Sequence, residues 1–439
     1  MKSRAITATT PAAKRGSLER FLEGKLRKAS IYRFAPMGLL EALKMDPQKV
    51  SSQARLVLKE MSSGLEELVT SDPRFLGRTT KIIRTPQSAS PFYPTFLGPK
   101  LLERTFDTGS ASAAIAWLQK VLSTRAANGK FITALWNAPV DSEVQLTPDF
   151  RLVPFDSIPL SVQKQALENI AFQRTAISAP LALQPPSSAL VAPYQVVDFI
   201  CNYEQRAIVD GKYPALKGLA ADITLLLTLM GPRAAIQVAH WFNFDDPDFE
   251  FALSGASHGS QIMEILPRLA GQNPPILNGA EAVEIIRQFN ALAPSTKEKI
   301  RTATERLRRA LLRHQPADRA VEVSIALEIL CGDAQPSEMT HKVKVRAVRL
   351  LEGSRSVRER NRILLTKTYA VRSKLVHQGI YDTKPTSVGG ASVDVDAAIS
   401  EACHLCAELI KTIIRRGAFP DWQHFDVNDH GAGLSETLQ

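Results

Sequence analysis

The chain has 439 residues, of which 44% are hydrophobic and 22% charged, and its formal net charge at pH 7 is +10. This length exceeds one core of ordinary size, so two or three domains are expected. The composition is typical of a globular protein, and no apolar run reaches the roughly 20 residues that cross a bilayer. Four cysteines without a framework-like spacing favour free thiols in a reducing compartment. We therefore predict a cytoplasmic protein without a membrane partner.

The positive charge is concentrated in two segments. Residues 1–30 carry 8 Lys or Arg against 2 acidic residues, and residues 297–374 carry 19 against 9. The second segment alone therefore has an excess of 10, equal to that of the whole chain. Such a concentration favours a polyanionic partner bound through its phosphates. Charge alone leaves open the alternative of solvated helix faces.

The first 99 residues show little hydrophobic patterning. Residues 1–30 are polar and basic and predict a disordered arm. Residues 31–99 predict a helical segment over 37–68 and then a linker over 82–99, where four prolines stand among serines.

Residues 100–275 predict a mixed α/β module of unknown role. Its expected helices are 111–124 and 215–230, its strands 131–136, 144–146, 151–155 and 234–244, and its main loop 180–193. From 276 to 420 the pattern is helical, with helices expected at 279–292, 295–313, 316–331, 340–351, 354–377 and 393–416. Consecutive amphipathic helices with short loops form antiparallel bundles. The predicted fold class is thus α+β: a mixed α/β N-terminal region, an all-α C-terminal bundle, and a frayed tail over 421–439.

The strongest chemical signal is Arg372-Ser-Lys-Leu-Val-His377, which is followed by the helix-ending Gly379. On a helix, Arg372 shares an apolar stripe with Tyr369 and Val376, so its guanidinium needs an anionic partner or ligand. His377 falls in the last turn, where the helix dipole favours the imidazolium form that a general acid requires.

Three further residues support this motif. Glu328 lies on an apolar stripe of the predicted helix 316–331, and pairing with Arg372 would place both charges and fix the guanidinium. The alternative is that Glu328 pairs with another basic residue or reaches solvent. Lys374 could contact a phosphate or simply complement the helix C-terminus. Tyr369 is expected in the core, although its ring could stack on a base.

The spacing of Arg372 and His377 on the last long helix resembles the HEPN superfamily. The stretches 320–330, 337–351 and 369–379 are similar to the Apea-like HEPN group, and the likeness covers roughly residues 300–417. A looser similarity around 149–155 extends it back to about residue 130. The resemblance implies a HEPN helical bundle that acts as a metal-independent endoribonuclease, without a cofactor.

The same resemblance implies roles and partners. Arg372 and His377 would be the catalytic residues, RNA the substrate, and a homodimer through the bundle the assembly, because paired HEPN motifs commonly line a shared cleft. A prokaryotic role in antiviral defence, abortive infection or as a toxin is implied too. However, Ser373 stands where many active members have Asn, Asp or His. This departure favours the alternative, a catalytically silent HEPN module that binds nucleic acid or a partner protein.

Three other patterns are weaker. Ser257 in Gly255-Ala-Ser-His-Gly259 matches a hydrolase nucleophile motif, but the chain around it lacks the strand and helix alternation of that fold. Cys403 and Cys406 have the spacing of zinc ligands without a second pair, which favours core thiols. The acidic group at 245–250 predicts a solvated turn, with a divalent cation site as the alternative.

Overall fold

The computed structural model describes residues 11–29, 64–72, 81–168, 185–205, 211–253, 259–261, 274–333 and 338–427. The helices of these ranges are α1 (Pro11–Ala29), α2 (Leu65–Ser71), α3 (Pro94–Thr108), α4 (Ala111–Ser123), α5 (Val162–Glu168), α6 (Lys212–Leu227), α7 (Pro247–Ala252), α8 (Gly279–Ala291), α9 (Pro294–Leu312), α10 (Pro316–Cys331), α11 (Met339–Leu350), α12 (Arg355–Gln378), α13 (Val395–Arg416) and α14 (Trp422–Val427). Among them, no helix combines the length and the apolar character that crossing a bilayer demands.

The strands are β1 (Lys81–Arg84), β2 (Ala89–Pro91), β3 (Ala126–Trp136), β4 (Val144–Gln145), β5 (Arg151–Pro154), β6 (Ser188–Val197), β7 (Ile200–Asn202), β8 (Ile236–Phe244), β9 (Gly259–Gln261), β10 (Thr386–Val388) and β11 (Ala391–Val393). The chain is therefore a mixed α+β protein, as the sequence predicts. It divides into two compact units, one comprising residues 1–132, 193–214 and 241–260 and the other residues 133–192, 215–240 and 261–439. The division falls within β3, β6, β8, β9 and α6, so each of these contributes residues to both units.

A six-stranded sheet has the order β4-β5-β6-β3-β8-β9. Strand β5 is antiparallel to both of its neighbours, and Leu152 pairs with Leu190 on β6. The predicted loop 180–193 is therefore wrong from residue 188 onward, because Ala189 to Ala192 form a buried apolar run that is typical of an interior strand. Residues 180–184 lie outside the described ranges.

A smaller antiparallel sheet, ordered β2-β1-β7, occupies much of the segment predicted as a linker. Ile82 and Ile83 on β1 are buried, and this burial stabilises a strand in a segment whose prolines had led to the prediction of a linker. Two of the four prolines occupy positions that suit proline. Pro91 ends the edge strand β2, and Pro94 lies in the first turn of α3.

Residues 11–29 form helix α1, so the predicted disordered arm is wrong over this range. Leu18 and Leu22, four residues apart, lie on one face and are fully buried. The helix packs against α2, α3 and α4, which supply the apolar contacts that its own polar sequence lacks. Residues 1–10 and most of the predicted helix 37–68 lie outside the described ranges.

The six helices α8 to α13 of the second unit form within about three residues of their predicted limits. Local chemistry sets their ends. Pro316 occupies the first turn of α10, and the Asp394 carboxylate accepts a hydrogen bond from the Ala397 N–H at the start of α13. Between α12 and α13 the sequence reading missed the hairpin β10–β11. Gly389 and Gly390 turn it with φ angles of 58° and 88°, which a two-residue hairpin loop requires.

Helix α12 packs against α10, α11 and α13. Its Val371 joins a buried cluster with Ala320 of α10 and Ile399 of α13, and Leu375 packs against this cluster from one side. About two turns before Val371, Leu364 belongs to a second buried cluster that includes Val388 of the hairpin. These contacts fix the face that α12 presents to solvent at its C-terminal end.

The chain after α13 was predicted to fray, but α14 is ordered over Trp422–Val427. Trp422 and Phe425 are buried and their ring centroids lie 5.3 Å apart. Asp426 hydrogen-bonds to the Arg346 guanidinium of α11 at 2.7 Å. Two aromatic side chains and an ion pair with the buried Arg346 thus hold a helix of six residues that could not persist alone. Residues 428–439 lie outside the described ranges.

Candidate functional site

Helix α12 presents the Arg372 to His377 motif at its C-terminal end. The helix begins at the Ser354 cap, whose hydroxyl accepts the Val357 N–H, and ends where Gly379 adopts a left-handed conformation with φ of 69°. The Gly379 N–H donates to the Leu375 carbonyl at 3.0 Å, which closes the last turn. His377 therefore lies in the final turn, as the sequence predicts.

The apolar stripe of α12 leaves the core at Arg372. Tyr369 is 5% exposed, the Arg372 side chain is 33% exposed, and Val376 is 56% exposed. The sequence interpretation placed all three on one apolar face, and the structure limits the buried part to the first. Arg372 thus lies at the edge of the core, where its guanidinium can reach both an interior partner and a ligand from solvent.

The interior partner is Glu328 of α10. Arg372 Nη1 lies 3.1 Å from Glu328 Oε1, and the guanidinium carbon lies 5.8 Å from the centroid of the Tyr369 ring. A carboxylate and an aromatic face therefore both orient the guanidinium. The closest contact of the pair is at Nη1, and a guanidinium has five N–H donors, so donors remain for a ligand.

Tyr369 belongs to the core. Its hydroxyl lies within 3.5 Å of the Ser324 carbonyl oxygen. Burial, and then the negative charge of Glu328, raise the pKa of the Tyr369 phenol far above its ordinary value, although Arg372 opposes the shift. The phenol is therefore neutral at physiological pH, and a ring that is 95% buried offers no free face for a base.

Arg372 and Glu328 line an open cleft of about 630 Å³. The remaining described lining comes from the first two turns of α11 and the residue before it: Glu338, Met339, Thr340, His341 and Lys344. Sequence reasoning missed His341 and Lys344. Their spacing of three residues on a helix places them on one face, but the sequence did not show that this face lies opposite Arg372.

His377 is exposed and is not among the residues that line this cleft. By helical geometry it lies about 7.5 Å along the axis from Arg372 and about 140° around it. Ser373 is also exposed. Arg372 therefore lies beside Glu328 and Tyr369, whereas His377 of the same chain lies outside the cleft that Arg372 lines.

Lys374 has a carboxylate partner. Its Nζ lies 3.1 Å from Asp382 Oδ2, and Lys367 Nζ lies 2.9 Å from the same oxygen. Burial by itself would raise the pKa of Asp382, but hydrogen bonds from Lys367, the Lys384 N–H and Lys374 outweigh it and lower the pKa to about 2. The ionised carboxylate ties the chain after α12 back to the helix and engages Lys374.

Much of the basic excess of residues 297–374 is engaged in ion pairs. Arg306 and Arg313 share Glu322, and Arg346 and Lys342 share Asp333. The count of basic residues therefore overstates the positive charge available to a ligand. The basic residues that line the Arg372 cleft therefore indicate the charge available to a ligand better than the total number of basic residues does.

The structure also shows where two of the weaker candidate motifs lie. Cys403 and Cys406 are buried in α13, where the sequence placed them as core thiols, and burial raises the pKa of Cys406. Across the described ranges, no three His, Cys, Asp or Glu side chains group as metal ligands would. Ser257 lies outside the described residues.

The acidic group at 245–250 is engaged by cations of the first unit. Lys120 Nζ lies 2.6 Å from Asp246 and 2.7 Å from Asp248, and Arg104 also pairs with Asp248. Lys130 lies 3.0 Å from Asp245. The acidic side chains of the expected solvated turn thus form ion pairs, and the Asp245 and Asp246 side chains remain 47% and 31% exposed.

Comparison with known proteins adds no relative to this description. The chain matches no family model, and neither a curated protein nor a solved structure matches it. The chemistry of the Arg372 site therefore has to follow from its own geometry.

Proposed function

We propose that the protein is a metal-independent endoribonuclease whose C-terminal helices form a HEPN bundle and whose catalytic residues are Arg372 and His377. The observation that carries the proposal is the position of Arg372 and the two side chains that orient it. A guanidinium at the edge of an open cleft is oriented by Glu328 at 3.1 Å and by the Tyr369 ring, five residues before an exposed imidazole on the same helix. Oriented guanidinium groups bind phosphate through two N–H donors.

The proposed reaction is a transesterification. A base removes the proton of a ribose 2′-hydroxyl, and the oxygen forms a bond to the adjacent phosphorus while the bond from phosphorus to the 5′-oxygen breaks. An acid protonates that leaving oxygen, so the products carry a 2′,3′-cyclic phosphate and a 5′-hydroxyl. His377 suits the proton transfer, because an imidazole can both accept and donate a proton. Arg372 suits the negative charge that develops on the phosphorane oxygens.

The proposed active assembly is a homodimer through the end of α12. Arg372 and His377 of one chain diverge by about 140°, so a second copy is needed to bring two motifs into one cleft. Val376, Ile380 and Tyr381 lie within four residues of His377 in the sequence and are 56%, 54% and 53% exposed, and several exposed apolar side chains in so short a stretch support an interface. Isologous contact would use this surface on both subunits.

The wider role extends the same proposal. RNA is the substrate and no cofactor takes part. A cytoplasmic role in prokaryotic antiviral defence, as an abortive-infection effector or toxin, rests on the HEPN resemblance alone.

The second candidate is a catalytically silent HEPN module that binds nucleic acid or a partner protein. The exposed Ser373 favours it, since a serine cannot supply the charged or amide group that many active members carry after the arginine. Under this reading the Arg372 to Glu328 pair stabilises the packing of α12 on α10 and performs no chemistry.

The deciding experiment incubates the purified protein with total cellular RNA in excess EDTA. The endoribonuclease proposal predicts cleavage that persists in the chelator and is lost in a His377→Ala protein purified in parallel. Cleavage that requires an added divalent metal would contradict the proposal. Binding of RNA without any cleavage would support the silent module instead.

A further inference from the structure

Two basic residues of α11 line the cleft that contains Arg372. His341 and Lys344 lie three residues apart and therefore on the same side of the helix. His341 is exposed and Lys344 is half-buried, so both side chains remain accessible from the open side of the cleft. Together with Arg372 they place three basic groups, drawn from two helices, around one concave surface.

The ion pairs of α11 set Lys344 apart from its neighbours. Lys342 lies 2.9 Å from Asp333, and Arg346 binds both Asp333 and Asp426 at 2.7 Å. Within the part of the chain that the structure describes, Lys344 makes neither an ion pair nor a side-chain hydrogen bond. A cation that is half-buried without a local carboxylate is available to an anionic ligand.

The two carboxylates of the cleft equal Arg372 and Lys344 in number, but neither of them forms an ion pair with Lys344. Glu328 is paired with Arg372. Glu338 is exposed and directly precedes α11; it lies three residues before His341 and six residues, or about 9 Å along the axis, before Lys344, so it is nearer to the imidazole than to the ammonium. The N-terminus of α11 adds to the positive potential: the Glu338 side chain does not cap it, and although the His341 and Lys342 N–H groups donate to the Glu338 carbonyl, the N–H groups of Met339 and Thr340 have no acceptor within the helix.

We propose that this cleft is a phosphodiester-binding subsite, in which Lys344, His341 and the free N–H donors of Arg372 bind one backbone phosphate of a single-stranded nucleic acid. The subsite rests on the proposed function in taking that nucleic acid to be RNA. A cleft of about 630 Å³ is within the range of about 300–1,000 Å³ that holds small ligands, so a nucleotide unit fits it. Binding here would hold the strand while Arg372 remains oriented by Glu328.

The test uses a fluorescent oligoribonucleotide that carries 2′-O-methyl groups throughout. Such a strand has no 2′-hydroxyl nucleophile, so its binding is measured apart from cleavage. The logarithm of the association constant falls linearly with the logarithm of the salt concentration, and each phosphate contact that is lost makes this slope less steep by about 0.7 for a single strand. Lys344→Ala is therefore expected to reduce the slope by about 0.7 and to weaken binding about fivefold at 0.1 M salt.

Matched variants isolate the subsite from general charge. Lys344→Arg should retain the slope of the wild type, and His341→Ala should weaken binding. Arg358→Ala removes an exposed cation of α12 that lies 14 residues, or about 21 Å, before Arg372, and it should leave the slope unchanged. His404→Ala on α13 provides the same control for a lost imidazole.

The outcomes separate the subsite from the nuclease. A Lys344→Ala slope equal to that of Arg358→Ala would overturn the subsite, even if the wild type cleaves RNA in EDTA. A wild type that fails to bind the modified strand would overturn it as well. If the Lys344→Ala slope falls as expected while no RNA is cleaved, the subsite stands and the nuclease proposal fails.

Discussion

Replacing either Arg372 or His377 by Ala is expected to reduce RNA cleavage at least about 100-fold while leaving the fold intact. His377 is exposed and its side chain forms no hydrogen bond or ion pair among the described residues, so its loss should change the free energy of unfolding by no more than about 0.5 kcal/mol. Both groups act in one transition state, so the double variant should be hardly slower than the slower single variant. Arg372→Lys should also be slow, because an ammonium cannot form two parallel hydrogen bonds to a phosphate.

Initial rates on a defined RNA in EDTA measure this effect, with Arg358→Ala and His404→Ala as the matched controls. A His377→Ala protein that retains a rate within a few-fold of the wild type would show that the assigned chemistry is wrong.

Glu328→Gln tests, in the same assay, whether Glu328 positions the Arg372 guanidinium. Because the Arg372 and Glu328 side chains are 33% and 24% exposed, breaking their pair should cost only about 1 kcal/mol of stability. The catalytic rate should fall by more than that loss of stability explains, and strict additivity with Arg372→Ala would show that the two residues act independently.

The largest loss of stability is expected for Arg346→Met. The Arg346 side chain is 2% exposed and binds Asp333, Asp426 and the Cys331 carbonyl, and its guanidinium carbon lies 5.1 Å from the centroid of the Trp422 ring. Removing one member of a buried ion pair costs about 3–5 kcal/mol. We expect a value of about 3 kcal/mol, since the two carboxylates are partly exposed and can be hydrated.

Hydrogen exchange of the α11 and α14 amides measures this loss where it occurs, because a chain with two units need not unfold in one step. Faster exchange should be confined to these helices and the end of α10. Arg358→Met, which removes an exposed arginine, should leave exchange unchanged. Equal protection in the two variants would mean that Arg346 does not anchor α14. Since α11 also carries His341 and Lys344, Arg346→Met should weaken binding in the cleft as well.

The helices of the second unit were predictable because their signals are local. A period of 3.6 residues, with Pro316 or Pro294 at a first turn and Gly379 or Gly417 at an end, marks both the helices and their limits. The proximity of Glu328 to Arg372 could be anticipated for a related reason. Each is a charged residue at a position where its helix needs an apolar one, and mutual pairing satisfies both.

The remaining elements depend on contacts that are distant in sequence. Helices α1 and α14 and strand β1 are short or polar, and they persist because side chains such as Leu18, Ile83 and Trp422 are buried against other elements. The turn at Gly389 and Gly390 was present in the sequence, but the strands beside it are only three residues long. The Arg372 cleft could not be foreseen, because it requires α11 and α12 to pack with particular faces opposed.

The chemical nature of the RNA ends tests the central claim most directly. A short RNA that is cleaved at one site by the wild type in excess EDTA should yield a 2′,3′-cyclic phosphate on one fragment and a 5′-hydroxyl on the other, both readable by mass spectrometry. A single 2′-deoxy substitution at the cleaved position should block the reaction. Fragments with a 3′-hydroxyl and a 5′-phosphate, or a 2′-deoxy strand that is still cut, would contradict the account.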